Sequence, residues 1–507
     1  SGIFNIAVFA SIIPSLAMIK VDDLITLSYA TVVVFILSVA VLFVAVVAVA
    51  DGRGVFEHQP AALRRRAALL WSLVLLLLAG CDFLAIRGGL GASVANVSKA
   101  YFSANMFLNH AATNPVFSFL TSLGDHTDYA AEYPFFDEAG REERFAPLRG
   151  NTPSAAAPER VLTTPRPNVV VVILESFART VMDADVGGLP VMPNMQRLKG
   201  EGIWFENFFA NSFRTDRGEV AILSGFPAQT RMSIMKLPAK SRNLPSLARS
   251  LSGVGYATCF SYGGDLNFTN QASYMYATGW QQLTWQKDLR FDTPPADWGY
   301  DDAVMCDWFA DRVIALSGKG EPFLAGMLTL SSHRPFDVPF SKFDDKELNA
   351  FAFSDECVGR MVDKLKASPA WDNLLLVLVA DHGYPWPRSL SYNEPLRHRI
   401  PMIWLGGAVA APRVVDTYAS QIDICATILG QLGIDHSDFD YSKDIFAPTP
   451  PRKFAYYTFN DGFGVVDASG EAVWDATSGK AVSETAPGLL DIGRTMLQTT
   501  YVDIGNR

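Results

Sequence analysis

The chain has 507 residues, of which 49% are hydrophobic, and its formal net charge is −10 at pH 7. This acidic balance argues against a nucleic acid as the partner, because nucleic-acid binding requires a basic surface. The five cysteines are scattered and include no CxxC pair, so a disulfide framework is not predicted.

Three apolar stretches precede residue 90. Ser1–Ile19 and Leu24–Ala50 contain no charged residue, and Ala67–Ile86 contains only Asp82. A membrane-spanning helix needs about 20 mostly apolar residues. We therefore predict that residues 1–90 form transmembrane helices, about three in number by this criterion. Because the chain begins at Ser1, almost inside the first stretch, we expect upstream sequence to be missing.

Arginines between the second and third stretches set the predicted orientation. Arg53 and the run Arg64–Arg66 lie there, and positively charged loops tend to face the cytoplasm. The third span then leads outward. The chain after about residue 90 is therefore predicted to lie outside the cytoplasmic membrane.

Residues 91–166 are predicted to connect the membrane part to a folded domain. Val97–Leu123 has apolar and aromatic residues at roughly helical spacing, which predicts a helix either on the membrane surface or packed on the next domain. The segment 138–168 is rich in Pro and Ala, a composition typical of a linker. We place the domain boundary near residue 166.

Residues 167–450 alternate between strand and helix patterns. Short apolar runs predict strands at Val169–Leu174, Gly202–Phe209, Ala257–Phe260, Phe323–Leu330, Leu374–Ala380 and Ile400–Leu405. Helices are predicted at Pro193–Lys199, Leu244–Leu251, Ser354–Ala367 and Tyr418–Leu432. This α/β alternation predicts a doubly wound, mostly parallel sheet. Residues 451–507 contain the turn signals Asp461-Gly462 and Ser469-Gly470, which predict a small antiparallel β subdomain.

Polar side chains follow several of the predicted strands. Glu175 follows the first, the sequence Tyr262-Gly-Gly-Asp265-Leu-Asn267 follows the third, and His333 and the pair Asp381-His382 follow later ones. Parallel strands end at one edge of a sheet, where ligands bind. These residues are therefore predicted to form one site.

Thr215 precedes a predicted helix, and two interpretations are open. A helix start favours an alkoxide or a phosphate, because its N–H groups and dipole are positive. Alternatively, Thr215 is only an N-cap with Glu219 in the first turn. By itself the local pattern favours the cap.

Glu175, Thr215, the Ser-Ser-His333 motif and Asp381-His382-Gly together resemble the alkaline phosphatase/sulfatase superfamily. Within it, the pattern is most similar to the lipoteichoic acid synthase-type phosphoglycerol transferases, over Pro167–Phe446. The resemblance implies that one divalent metal, usually Mn²⁺, is held by Glu175, Thr215, Asp381 and His382. It also implies that Thr215 is the nucleophile and that His333 contacts the substrate phosphate.

The substrate segment departs from the family pattern. Tyr262 stands where the family has a His, and Thr269 and Gln271 replace a Trp and an Arg. We predict that Tyr262, Asp265 and Asn267 contact the headgroup, and that Arg214 and Arg217 supply charge nearby. A phosphoethanolamine transferase shares the Thr nucleophile and remains an alternative. The sequence lacks the Cys/Ser-x-Pro-x-Arg motif at Thr215, which counts against a sulfatase that hydrolyses sulfate esters.

The resemblance implies a metal-dependent phosphotransferase anchored in the bacterial cytoplasmic membrane. It would move a phospholipid headgroup through a phospho-threonine intermediate to a glycan or lipid-glycan acceptor outside the membrane. Three oxygen ligands and one imidazole suit Mn²⁺, with Mg²⁺ and Zn²⁺ as alternatives. Two further alternatives are a hydrolase that uses water at the same site and a non-catalytic binding protein.

Overall fold

The computed structural model describes residues 61–89, 93–122, 127–151, 157–448 and 452–507. These fall into two compact units. Of the described residues, those between 61 and 100 and between 110 and 127 belong to the first unit, and those between 101 and 109 and from 128 to 507 belong to the second. The predicted spans Ser1–Ile19 and Leu24–Ala50 lie outside the described residues.

The third predicted span, Ala67–Ile86, lies within helix α1, Ala61–Arg87. Among the residues that the structure describes, no helix is long and apolar enough to cross a membrane. The span predicted at this position is therefore not confirmed.

The helical pattern at Val97–Leu123 corresponds to two short helices, α2 (Met106–Ala112) and α3 (Pro115–Ser122). The break has a local cause. The side-chain oxygen of Asn114 accepts hydrogen bonds from the amides of Val116 and Phe117 at 2.9 and 3.2 Å, and Pro115 occupies the first position of the new helix. A polar cap followed by Pro starts a helix rather than continuing one.

The second unit is built on an eight-stranded sheet in the order β11-β4-β10-β9-β1-β8-β6-β7. The strands that matter for the fold are β1 (Asn168–Leu174), β2 (Asp185–Val186), β3 (Leu189–Pro190), β4 (Ile203–Phe205), β5 (Phe208–Phe209), β6 (Ala257–Tyr262), β7 (Gln282–Trp285), β8 (Phe323–Leu328), β9 (Leu374–Ala380), β10 (Met402–Leu405), β11 (Arg413–Val415) and β12 (Ala419–Ser420). Only β10 runs antiparallel to its neighbours β9 and β4. The predicted mostly parallel sheet is thus confirmed.

The two central strands of the sheet, β1 and β9, are buried throughout, which is why the sequence predicted them. All residues of β1 and β9 are buried, and the two strands pair in parallel from Asn168↔Leu374 to Leu174↔Ala380. A strand that is apolar at every position must be covered on both faces. Strands β1 and β9 therefore form the middle of the core and end side by side.

Helices connect and cover these strands. They are α4 (Glu138–Phe145), α5 (Arg179–Met182), α6 (Pro193–Lys199), α7 (Thr215–Ser224), α8 (Pro238–Ser241), α9 (Leu247–Gly253), α10 (Gln271–Ala277), α11 (Asp302–Ser317), α12 (Lys346–Lys366), α13 (Pro395–His398) and α14 (Ile424–Leu432). The strand predicted at Gly202–Phe209 is in fact two, because β5 leaves the main sheet to pair with β12. Strand β7 and helix α11 were not predicted.

The linker predicted before residue 166 requires correction. Helix α4 is capped by Asp137, and the ring of Phe145 packs 5.4 Å from that of Tyr441. Val161 and Leu162 are buried in the main core. Because apolar residues are interspersed among the prolines, this segment folds onto the domain, and no boundary near 166 separates two compact units.

The C-terminal part contains the predicted antiparallel sheet, with strands β13 (Phe454–Phe459), β14 (Gly462–Asp467), β15 (Gly470–Asp475) and β16 (Lys480–Glu484). The helix that follows, α15 (Leu489–Asn506), was not predicted. It packs closely on the sheet, because a Cβ at Gly493 would clash with the ring of Phe463. The segment therefore belongs to the same compact unit and is more than a hairpin.

Candidate active site

Three predicted metal ligands meet at the carboxyl edge of β1 and β9. Because Leu174 pairs with Ala380, Glu175 and Asp381 leave the sheet side by side. One ligand atom from each of Glu175, Asp381 and His382 lies within 4.8 Å of the others. The Nε2 atom of His382 lies 3.6 Å from Glu175 Oε1 and 3.4 Å from Asp381 Oδ2.

Ser176 holds this cluster together. Its amide donates to Asp381 Oδ1 at 2.7 Å, and its hydroxyl donates to Glu175 Oε1 at 2.7 Å. The same hydroxyl lies 3.4 Å from His382 Nε2. Its φ of +60° is uncommon for a non-glycine residue, and such backbone conformations concentrate at functional sites. The sequence reasoning missed Ser176, although its place directly after Glu175 was a usable signal.

Thr215 is the first residue of α7, and its hydroxyl donates to Glu175 Oε2 at 3.2 Å. Arg214 occupies the N-cap position, and no side chain caps the helix there. The alternative reading of Thr215 as N-cap is therefore wrong, and Asp216, not Glu219, is the acidic residue of the first turn. Gly218 permits this approach, because a Cβ there would clash with the carbonyl of Asp381.

Burial dominates the electrostatics of the cluster. Burial and the Asp381 carboxylate raise the pKa of Glu175 to about 7. Burial also raises the pKa of Asp381 to about 6, against the hydrogen bond from Ser176 N–H, and lowers the pKa of His382. Two buried carboxylates without a counter-charge repel each other, and a neutral imidazole is the form that binds metals.

The residues present fit a divalent cation. Asp381 is fully buried, and its Oδ2 accepts no hydrogen bond from any residue in the described parts of the chain. A buried carboxylate oxygen left without a donor is costly, and a cation would satisfy it. With Thr215 Oγ1 next to Glu175, the site offers oxygen and imidazole donors of the kind that Mn²⁺, Mg²⁺ and Zn²⁺ accept.

His333 borders the cluster. The pKa of Glu175 responds, after burial and Asp381, to the charges of His382 and His333, which places His333 within electrostatic reach. Its ring lies 4.7 Å from that of Trp298, which in turn lies 5.4 Å from Phe268. All three are partly exposed. The sequence reasoning missed Trp298, which brings an aromatic ring to the site from outside the segment where the family has its Trp.

The predicted headgroup residues lie beyond β6. Tyr262 ends this strand and is 9% exposed, and burial raises its pKa well above the usual value. Asp265 Oδ1 accepts from the amide and the side-chain nitrogen of Asn267 at 2.9 and 2.8 Å, which fixes the two side chains together. Both are partly exposed. Their contact with the headgroup stays a prediction.

The two arginines differ in environment. Arg214 is exposed, whereas Arg217 is 3% exposed, donates to the Thr230 carbonyl at 3.1 Å and lies over the ring of Phe213. Arg214 is thus the freer of the two to approach a substrate phosphate.

Glu219 is a further buried acid near the cluster, and the sequence did not predict its burial. Glu219 lies on α7 one turn beyond Thr215 and is 0% exposed. Burial and the carboxylates of Asp381, Asp216 and Glu175 raise its pKa well above the usual value. Its protonated, uncharged form is therefore favoured over the carboxylate.

The part of the chain that carries these residues is similar to known proteins. The family model described as Sulfatase matches residues 167–434, more than half of the chain. The chain is 27% identical over 319 residues to a phosphoglycerol transferase I of Xanthomonas campestris, covering 56% of this chain and 43% of the relative. It is 24% identical over 307 residues to lipoteichoic acid synthase 2 of Bacillus subtilis, covering 54% and 46%.

Each of these matches thus spans less than half of the curated relative. Among solved structures, a protein of the alkaline phosphatase superfamily from Vibrio parahaemolyticus superposes with a TM-score of 0.65 at 23% identity, covering 75% of this chain and 98% of that one. This supports the fold. The resemblance predicted from the strand-end motifs is confirmed: the chain belongs to the sulfatase family.

Proposed function

We propose that this protein is a metal-dependent transferase that moves a phosphoglycerol-like headgroup from a phospholipid to an acceptor hydroxyl. The observation that carries the proposal is the position of Thr215. Its hydroxyl lies at the start of α7 and contacts Glu175, inside a cluster of buried carboxylates and an imidazole. A threonine hydroxyl is a poor nucleophile unless its surroundings activate it, and here they are suited to do so.

Glu175, Thr215, Asp381 and His382 are the residues that would hold the divalent cation. When bound, such an ion lowers the pKa of a coordinated hydroxyl and stabilises negative charge on phosphoryl oxygens. The N–H groups at the start of α7 would also stabilise negative charge on the phosphoryl oxygens, because the start of a helix favours negative charge. The half-exposed ring of His333 would donate a hydrogen bond to a phosphoryl oxygen.

The reaction proposed for Thr215 has two displacements. In the first, the Thr215 oxygen forms a bond to phosphorus while the bond from phosphorus to the diacylglycerol oxygen breaks. The hydroxyl proton lost by Thr215 is balanced by the proton that diacylglycerol gains. In the second, an acceptor hydroxyl displaces Thr215, which regains a proton, and the headgroup phosphate is transferred.

The donor and the acceptor are assigned by class. We propose a phospholipid donor and a glycan or lipid-glycan acceptor, in line with the names of the relatives, a phosphoglycerol transferase and a lipoteichoic acid synthase. We also propose an extracytoplasmic site anchored in the cytoplasmic membrane, on the strength of the uncharged stretches before residue 90. Anchoring would raise the local concentration of a lipid donor at the site.

The test is incubation of the full chain with Mn²⁺ and headgroup-labelled phosphatidylglycerol or phosphatidylethanolamine, with and without a glucan acceptor. Release of diacylglycerol from phosphatidylglycerol, with label moving to the glucan, supports the proposal. Preference for phosphatidylethanolamine would favour a phosphoethanolamine transferase. Free glycerol phosphate as the only product would identify a hydrolase. No diacylglycerol from either lipid would contradict the proposal.

A further inference from the structure

Arg397 is a buried cation with no carboxylate partner among the residues that the structure describes. It lies in the short helix α13 and is only 6% exposed. Within the described parts of the chain its guanidinium makes no ion pair and no hydrogen bond, and its Nε is buried without a partner. Its guanidinium carbon lies 4.5 Å from the centroid of the Tyr392 ring. Burial lowers the pKa of Arg397, but the group stays charged.

This arrangement is energetically unfavourable by itself. A buried charge normally has a counter-ion or a full set of hydrogen bonds, because removal from water costs several kcal/mol. A cation–π contact offsets only part of that cost. Two other buried arginines, Arg179 and Arg452, have carboxylate partners instead. Arg179 pairs with Asp183 at 2.5 Å and Glu206 at 3.3 Å, and Arg452 pairs with Asp423 at 2.5 Å.

Arg397 lies beside the candidate active site. Its backbone abuts the strand end that carries His382, since a Cβ on Gly383 would clash with the Arg397 carbonyl. The charge of Arg397 is one of the influences that lower the pKa of His382. On the other side, the Tyr392 ring beneath it lies 5.1 Å from the ring of Phe213, two residues before Thr215. Arg397 thus lies between the ligand strand and the segment that leads to the nucleophile.

We propose that Arg397 binds the phosphoryl group that is transferred, so that the anion in the site is its missing counter-charge. This rests on the proposed function, and it adds a residue to which no role has been given. Guanidinium groups bind phosphoryl oxygens through two parallel hydrogen bonds. The nitrogens at the end of the Arg397 side chain have no hydrogen-bond partner among the described residues, so they are available to make such bonds. The unpaired charge of Arg397 would then lower the stability of the ligand-free protein and strengthen the binding of the phosphoryl group.

The proposal makes stability and binding change in opposite directions. In Arg397→Met the unpaired charge is gone, so the thermal midpoint of the full chain should stay level or rise. The affinity for inorganic phosphate, measured by calorimetric titration, should fall roughly 10- to 100-fold, the range for hydrogen bonds to a charged group. Arg397→Lys keeps the charge without the fork and should bind phosphate about 10-fold more weakly.

The matched control is Arg179→Met, which removes an equally buried arginine that has carboxylate partners. It should lower the thermal midpoint and leave phosphate affinity unchanged. A thermal midpoint of Arg397→Met as low as that of Arg179→Met, or phosphate affinity unchanged in both Arg397 variants, would overturn the proposal. Neither result would bear on Thr215. Conversely, if Thr215 forms no adduct but phosphate binding depends on Arg397, the anion site stands without the proposed transferase.

Discussion

Removal of the Ser176 hydroxyl perturbs the candidate site without changing a predicted metal ligand. In Ser176→Ala the hydrogen bond to Glu175 Oε1, 2.7 Å long and buried, is lost. A hydrogen bond to a charged group contributes about 1.5–3 kcal/mol. The alanine keeps the φ of +60°, whose cost of about 1–2 kcal/mol for an L-residue the wild-type serine bears as well.

Ser176→Gly separates these two effects, since glycine adopts positive φ without strain. The wild type should be the most stable, Ser176→Gly intermediate and Ser176→Ala least stable, with about 1 kcal/mol between the two variants. A residue that hydrogen-bonds to a metal ligand holds that ligand in the orientation needed for binding. Both variants should therefore also bind Mn²⁺ about 10- to 100-fold more weakly. Thermal unfolding and calorimetric Mn²⁺ titration measure the two quantities. If Ser176→Ala is more stable than Ser176→Gly, or Mn²⁺ affinity is unchanged in both, the role given to Ser176 is wrong.

Further outcomes follow from the same geometry. Thr215→Ala should abolish diacylglycerol release while lowering the free energy of unfolding by at most about 3 kcal/mol, the upper value for a lost hydrogen bond to a carboxylate; a variant with wild-type turnover would exclude Thr215 as nucleophile. His333→Ala should reduce turnover yet leave Mn²⁺ affinity intact, and lost metal binding would reassign it as a ligand. The raised pKa of Glu219 means that its protonated form stabilises the fold fully below the ordinary value of 4.5, and that this contribution is lost as pH rises toward the folded-state pKa. Glu219→Gln should therefore match the wild type in thermal midpoint near pH 4 and exceed it at pH 8, whereas an exposed control such as Glu143→Gln should show no such change; identical pH profiles would refute this. Finally, protease added to intact spheroplasts should degrade the catalytic domain, and complete protection would contradict the extracytoplasmic assignment.

Strand ends were predictable from the sequence for a physical reason. The apolar runs of β1 and β9 are buried at every position, so both ends and the polar residues after them stand out. Glu175 and Asp381-His382 follow directly, and parallel pairing brings them together. Thr215 was found through the start of its helix and the family pattern. Local reasoning could not have chosen it over an N-cap.

Other features depend on packing that a sequence pattern does not contain. Helix α11 has apolar residues on several sides and lacks a clear stripe, and β7 is a short edge strand. Trp298 reaches His333 from a loop, and only the folded chain shows the contact. The unpaired charge of Arg397 is likewise visible only once the neighbours that could have paired with it are known. Segment 138–166 was assigned to a linker on composition, although a few buried residues such as Phe145 were enough to fold it onto the domain.

The central claim is that Thr215 carries the transferred group. The most direct measurement is mass spectrometry of the protein after Mn²⁺-supported reaction with phosphatidylglycerol and acid quenching without an acceptor. The account predicts a glycerophosphoryl adduct on the peptide that contains Thr215, absent from Thr215→Ala. An adduct on Ser212 or Ser224 instead, or diacylglycerol release by wild-type protein that never forms an adduct at Thr215, would contradict it.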